Sequence, residues 1–173
     1  MTNFAAPNRA LTPISRILSG GQTGADRAAL DWAIARGIAH GGWCPRGRRA
    51  EDGPIAPRYA LIETPSRDYE QRTYWNVRDS DGTLIISRSA ALTGGSAFTA
   101  RCAERIKQPC LHVHPAADDL QAIRAFLERH RIRTLNVAGP RASTDPGIYD
   151  YAMEVLERIF HPVPPRESPR FSP

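Results

Sequence analysis

Lysine is almost absent from this 173-residue chain: Lys107 is the only one. Chemistry through a lysine Schiff base is therefore improbable. Cysteine is scarce too. Cys44, Cys102 and Cys110 show no C-x-x-C spacing, which argues against a disulfide framework and against a zinc ribbon. No run is long or apolar enough to span a bilayer. Residues 1–13 lack the charged-then-apolar layout of a secretion signal, so a cytoplasmic protein is expected. No internal repeat is visible. A chain of this length predicts one domain with a proper core, over residues 14–160, between flexible tails at 1–13 and 161–173.

Arginine takes up the charge that lysine leaves. The net charge is +5 and the isoelectric point near 9.6. A nucleic-acid footprint is a stripe on one face, whereas these arginines are scattered apart from Arg46-Gly47-Arg48-Arg49. Separately placed arginines suit a small phosphate-bearing ligand better.

The most informative stretch is Ile17-Leu18-Ser19-Gly20-Gly21-Gln22-Thr23-Gly24-Ala25-Asp26. It reads as a short apolar strand, a glycine-rich turn and the start of a helix. Glycines let backbone N–H groups approach a ligand. The first turn of a helix adds unpaired N–H groups and partial positive charge. Together they make an anion site, with Gly20, Gly21, Gln22, Thr23 and Gly24 as its contacts. The bland alternative is a tight turn in which Thr23 and Asp26 only cap the helix. No lysine follows, so this is not a Walker loop, and the spacing is not that of the dinucleotide fingerprint.

Strands and helices alternate along the rest. The pattern predicts strand 14–19, helix 23–36 ended by Gly37, an extended piece at 41–45, an irregular stretch 46–81 with a short strand at 59–63, and strand 83–87. Helix 97–107, strand 110–114, helix 120–130 capped by Asp118, strand 134–138 and a helix started by Asp145-Pro146 follow. Alternating units imply a three-layer, Rossmann-like α/β/α fold with a mostly parallel sheet. Ligands in such folds sit beyond the carboxyl ends of the strands. Three glycine-bearing turns follow strands here, at Gly20–Gly24, Gly94-Gly95-Ser96 and Gly139-Pro140-Arg141.

Other features are weaker. Asp79-Ser80-Asp81-Gly82 resembles the start of a calcium loop, but an apolar strand follows, so a turn is the better reading. Asp79 or Asp81 could still reach a ribose hydroxyl or act as an acid. His112 and His114 share a strand face with no third metal ligand in view. Cys44, near Arg46 and Arg48, is a candidate for a lowered pKa, though a small packed residue is the plainer reading. Trp43, Tyr74 and Trp75 are candidates to stack on a ring, with core packing the equal alternative.

Taken jointly, Ser19–Asp26, Gly42-Trp43-Cys44-Pro45-Arg46-Gly47-Arg48 with Glu51-Asp52-Gly53, Arg72–Thr83, Gly94-Gly95-Ser96 and Asn136-Val137-Ala138-Gly139-Pro140-Arg141 resemble the circularly permuted YpsA-like branch of the SLOG superfamily. That Rossmann-like group includes the LOG phosphoribohydrolases and the Smf/DprA proteins. Members of this branch are often labelled molybdenum (cofactor) carriers. The resemblance implies a nucleotide-like, phosphate-bearing ligand, with the molybdenum cofactor or a nucleotide as the bound group. It adds Arg72, Asn76, Asp81, Gly94, Gly95, Ser96, Thr99, Gly139, Pro140 and Arg141 to the candidate ligand contacts. LOG enzymes carry P-G-G-x-G-T-x-x-E with a catalytic Glu, but here that position falls near Arg101 and the nearest acid is Glu104. A binding or carrier protein is therefore the leading expectation. A nucleotide-processing hydrolase using Asp26 or Asp79 is the alternative, and a nucleic-acid binder the least supported. A homodimer is the default for this kind of fold.

Overall fold

A computed structural model describes residues 14–160, so the two expected tails lie outside the described residues. The chain alternates between strand and helix: β1 (Arg16–Leu18), α1 (Ala25–Ala35), β2 (Ala39–Cys44), β3 (Arg49–Ala50), β4 (Gly53–Pro54), β5 (Leu61–Glu63), α2 (Tyr69–Arg78), β6 (Gly82–Ile86), α3 (Gly94–Arg105), β7 (Cys110–Val113), α4 (Leu120–Arg129), β8 (Thr134–Ala138) and α5 (Ile148–Phe160).

Six strands form one sheet in the order β5-β2-β1-β8-β6-β7, and every pairing in it is parallel. β3 and β4 form a separate antiparallel hairpin. β1, β8 and β6 are neighbouring parallel strands, so the loops after them meet at one rim. That is where a parallel sheet opens a crevice. The three-layer α/β/α architecture expected from alternation is the one observed.

α1 and α5 bury the faces their sequences make apolar. α1 and α5 pack on one another on one side, with α4 beside α5. Their core joins Trp32, Ala29, Val155, Leu156 and Ile159 to the sheet residues Ile17, Leu84, Leu135 and Val137, all essentially inaccessible. α2 and α3 pair on the other side around Val77, Cys102 and Ala103. A third cluster of Leu30, Cys44, Ile55, Tyr59 and Leu61 anchors the region around the hairpin. The interior strand β6 is buried at all five positions, as a strand covered on both faces should be.

Three local expectations are corrected. The stretch read as irregular contains the helix α2. Its buried residues Thr73, Asn76 and Val77 are spaced three and four apart, a helical pattern masked in the sequence by the polar character of the segment and by the prolines before it. α4 is capped by Asp119, not Asp118: the Asp119 carboxylate accepts from Gln121 N at 2.8 Å. Asp118 instead pairs with Arg158 on α5 at 2.8 Å. α5 begins at Ile148, slightly later than Asp145-Pro146 suggested.

Candidate functional site

The rim loops enclose a cavity of about 660 Å³, within the range of small-molecule sites. Gln22 from the first loop, Ser87, Arg88 and Gly94–Ser96 from the second, and Gly139–Arg141 from the third all line it. The amino-terminal half of α2 supplies Tyr69, Glu70, Arg72 and Thr73, and α3 adds Phe98 and Arg101. Four arginines thus face one space.

The glycine loop itself turns inward. Arg72 packs directly over Gly20, so closely that a Cβ there would collide with the guanidinium. Gly21 has φ +73, and its missing Cβ points at Leu61 and Ile55 in the third core cluster rather than at a ligand. Gly24 (φ +79) abuts the backbone of Pro140 and Ala142. Several of the loop's donors are taken. Gln22 N donates to the Asp26 carboxylate at 3.2 Å, Thr23 N to the Gln22 side chain at 3.0 Å, and Ala25 N to Pro140 O at 3.3 Å. The Thr23 hydroxyl donates to Glu51, at the tip of the β3–β4 hairpin, and accepts from Ala142 N at 3.1 Å. The same Glu51 carboxylate accepts from Ser143 N at 3.1 Å and from the Ser143 hydroxyl. Burial works against its charge, but these hydrogen bonds and Arg141 outweigh it, and its pKa lies below the usual carboxylate value. Arg27 adds a second tie to the hairpin through Asp52, at 2.5 and 2.8 Å. The chain's own carboxylate therefore occupies the side of the loop where the sequence suggested an external anion.

The helix after β6 is different. Thr93 provides no side-chain cap for α3. Ala97 N donates to Thr93 O, but among the described residues the N–H groups of Gly94, Gly95 and Ser96 have no protein acceptor. A Cβ added at Gly94 or Gly95 would meet nothing within 4 Å. This helix end is open to the cavity and carries the partial positive charge of its dipole.

Beneath the cavity lies a buried ion pair. Asp26 is only 3% exposed and meets Arg72 Nη1 at 3.0 Å. Burial pushes its carboxyl up, and the attraction of Arg72 and the Gln22 N–H only partly offset that. Arg72 Nε is itself buried with no acceptor among the described residues. The other cavity arginines are held more loosely. Arg88 meets Asp145 at 2.9 Å, and Arg141 lies 3.8 Å from Glu51. Arg101 has no carboxylate partner among the described residues and sits 5.7 Å over the ring of Phe98.

Of the residues singled out in the sequence, the cavity brings together Gln22, Arg72, Gly94, Gly95, Ser96, Gly139, Pro140 and Arg141. It does not gather the others. Asn76 is buried and brackets Trp43, accepting from its N–H at 2.8 Å and donating to its carbonyl at 2.9 Å. Asp79 closes α2, paired with Arg78 and accepting from the Trp43 indole at 2.7 Å. Asp81 lies before β6, at the opposite edge of the sheet, where it accepts from Arg133 N and Thr134 N at 2.9 and 2.7 Å. Thr99 bonds back to Gly95 O within α3. Trp43 and Trp75 pack edge to face, 4.7 Å apart, away from the cavity. Cys44 is fully buried and burial raises its pKa, opposite to the reactive reading. His112 spends Nε2 on Ser87 Oγ at 2.7 Å. Among the described residues no group of three or more His, Cys, Asp or Glu side chains could hold a metal ion.

Sequence reasoning missed Tyr69, Glu70, Arg88 and Phe98 as wall residues. Had 69–78 been read as a helix, Tyr69, Arg72 and Thr73 would have stood out as one face. Gly94, Phe98 and Arg101 form a comparable stripe on α3.

Residues 17–160 match the model of the circularly permutated YpsA SLOG family. The crystal structure of a candidate molybdenum carrier protein from Syntrophus aciditrophicus SB is 49% identical and superposes with a TM-score of 0.85, over 90% of this chain and 99% of the other. No curated protein matches the chain.

Proposed function

The chain belongs to the circularly permutated YpsA SLOG family, and from that premise we propose that it binds a nucleotide-like, phosphate-bearing small molecule in the rim cavity and acts as its carrier. The observation that carries this reading is the open amino terminus of α3, walled by Arg72 with its unsatisfied Nε. A buried donor without an acceptor costs free energy, and an anion in the cavity can supply what the protein does not. The phosphate is accordingly assigned to Gly94, Gly95 and Ser96 rather than to the glycine loop after β1. Arg72 and Arg141 contribute charge to the same group.

The molybdenum-carrier name of the Syntrophus protein is compatible with this arrangement. A molybdenum cofactor would be held through its phosphate and its pterin ring, and the metal would travel on the cofactor. The α3 amides and the arginines fit the phosphate, and Phe98 and Tyr69 offer ring faces. A carrier is favoured over a hydrolase because Asp26 and Asp79, the acid–base candidates, do not line the cavity. Arg101 stands near the place where the related enzymes carry their acid, and it would oppose the positive charge that builds on a sugar during glycosidic cleavage.

Titration calorimetry of the protein and of Gly95→Asp with inorganic pyrophosphate and nucleoside diphosphates tests the reading. The substitution is sterically free and puts a carboxylate on the open amides. Binding by the parent and at least a tenfold loss in the variant are expected. Equal binding by both would contradict the assignment.

A further inference from the structure

The cavity is chemically lopsided. At the α3 amino terminus it offers open N–H groups, and Arg72, Arg88, Arg141 and the Arg88-paired Asp145 also line it. The remaining charged groups of the lining are one anion and one cation, Glu70 and Arg101. Neither has an ion-pair or hydrogen-bond partner among the described residues, and both line the main cavity and a second one of about 410 Å³ beside it. Arg88 and Arg72, by contrast, are already matched to Asp145 and Asp26. Phe98 also lines both spaces, and Tyr74 walls the second. Glu70 sits in the first turn of α2.

Ring faces flanked by one carboxylate and one guanidinium select a particular heterocycle edge. A guanidinium donates two hydrogen bonds and matches a carbonyl oxygen beside a ring nitrogen acceptor, as in the O6/N7 edge of guanine. A carboxylate only accepts, and matches two adjacent N–H donors. Guanine offers both edges on one ring. Adenine places an amino donor where the guanidinium needs an acceptor, and an unprotonated nitrogen where the carboxylate needs a donor. The spacing suits a phosphorylated ligand: from Gly95 to Arg101 is six residues of α3, roughly 9 Å of helix rise.

We propose that Glu70 and Arg101 make this cavity selective for a 2-amino-4-oxopyrimidine ring, the edge shared by guanine and by pterins, against adenine. This rests on the phosphate reading above. Glu70 accepts from the ring N–H and the exocyclic amine, Arg101 donates to the carbonyl side, and Phe98 lies against the ring.

The test is a calorimetric series with GDP, IDP, ADP and a neopterin phosphate on the parent and on Glu70→Gln. GDP is expected to bind at least tenfold more tightly than ADP. IDP, which keeps the carbonyl and ring N–H but lacks the amine, should fall between them. Neopterin phosphate against GDP shows which source of the shared edge is preferred. Glu70→Gln should lower GDP affinity to the IDP level or below, leave ADP affinity no weaker, and leave the melting temperature within a few degrees. Equal affinity of the parent for GDP and ADP, or a GDP preference that is undiminished in Glu70→Gln, would overturn the proposal while leaving the phosphate site intact. No binding of any of the four would overturn both.

Discussion

Replacing Arg72 by Met keeps the aliphatic stem over Gly20 but deletes the only cation paired with Asp26. The carboxylate would then rest on the Gln22 N–H at 3.2 Å, in a place that is 3% exposed. Removing one partner of a buried pair costs about 3–5 kcal/mol, because the other charge stays buried alone. The Arg72 side chain is 14% exposed and lines the cavity, so water can enter the gap and the lower end, about 3 kcal/mol, is expected. For a chain of this size that is a fall of roughly 6–12 °C in melting temperature. The pH dependence has a definite sign. The folded pKa of Asp26 is already raised above 3.8, so its contribution to stability is present below that value and is lost as pH rises through the folded pKa. Without Arg72 the folded pKa moves further up. The deficit of the variant should therefore be larger at pH 8 than at pH 5. Adding Asp26→Asn removes the stranded charge and should recover most of the loss. Thermal unfolding of both single variants and the double variant at the two pH values completes the cycle. A loss below about 1 kcal/mol at pH 8, or a double variant whose loss is the plain sum of the singles, would refute the reasoning.

Further outcomes follow from other parts of the structure. Gly42 has φ +128, and a Cβ there would lie 2.2 Å from Ser19 O, so Gly42→Ala should cost at least about 2 kcal/mol in urea unfolding. Burial raises the thiol pKa of Cys44 and Cys102 and pushes Cys110 up to about 11; all three should react slowly with a disulfide reagent at pH 8 and rapidly once urea unfolds the chain. Glu51→Gln should loosen the clasp between the hairpin and the β1 and β8 loops, speeding amide exchange at residues 49–54 by about tenfold while the sheet stays protected. Because the folded pKa of Glu51 is lowered, the same loosening should develop in the parent as the pH falls below 4.5 through that folded pKa, and not above it.

The fold was legible because its signals are strong and independent. The continuous apolar run Leu84-Ile85-Ile86 can only be a strand covered on both faces, and Gly37, Gly94 and Gly139 mark element ends. α2 was hidden because its covered face includes Thr73 and Asn76, polar residues buried for what they bond rather than for hydrophobicity. The rim was legible for the same reason as the fold, since each glycine turn follows a strand. What each turn does was not. Two turns of similar composition differ in who satisfies them: Glu51, distant in sequence, closes the first, and among the described residues no protein group closes the second. That distinction depends on where a hairpin tip lands, and local sequence does not encode it. Asp81 shows the same limit, being a plausible ribose contact by motif that lies at the wrong edge of the sheet.

The proposed phosphate site is the amino terminus of α3 and not the glycine loop after β1. Amide chemical shifts of the folded protein, followed by two-dimensional NMR during titration with pyrophosphate, report on both places at once. The account predicts large, saturating shifts at Gly94, Gly95 and Ser96, with Gly20, Gly21 and Gly24 nearly still. Saturating shifts at Gly20, Gly21 and Gly24, with Gly94 and Gly95 unmoved, would contradict it.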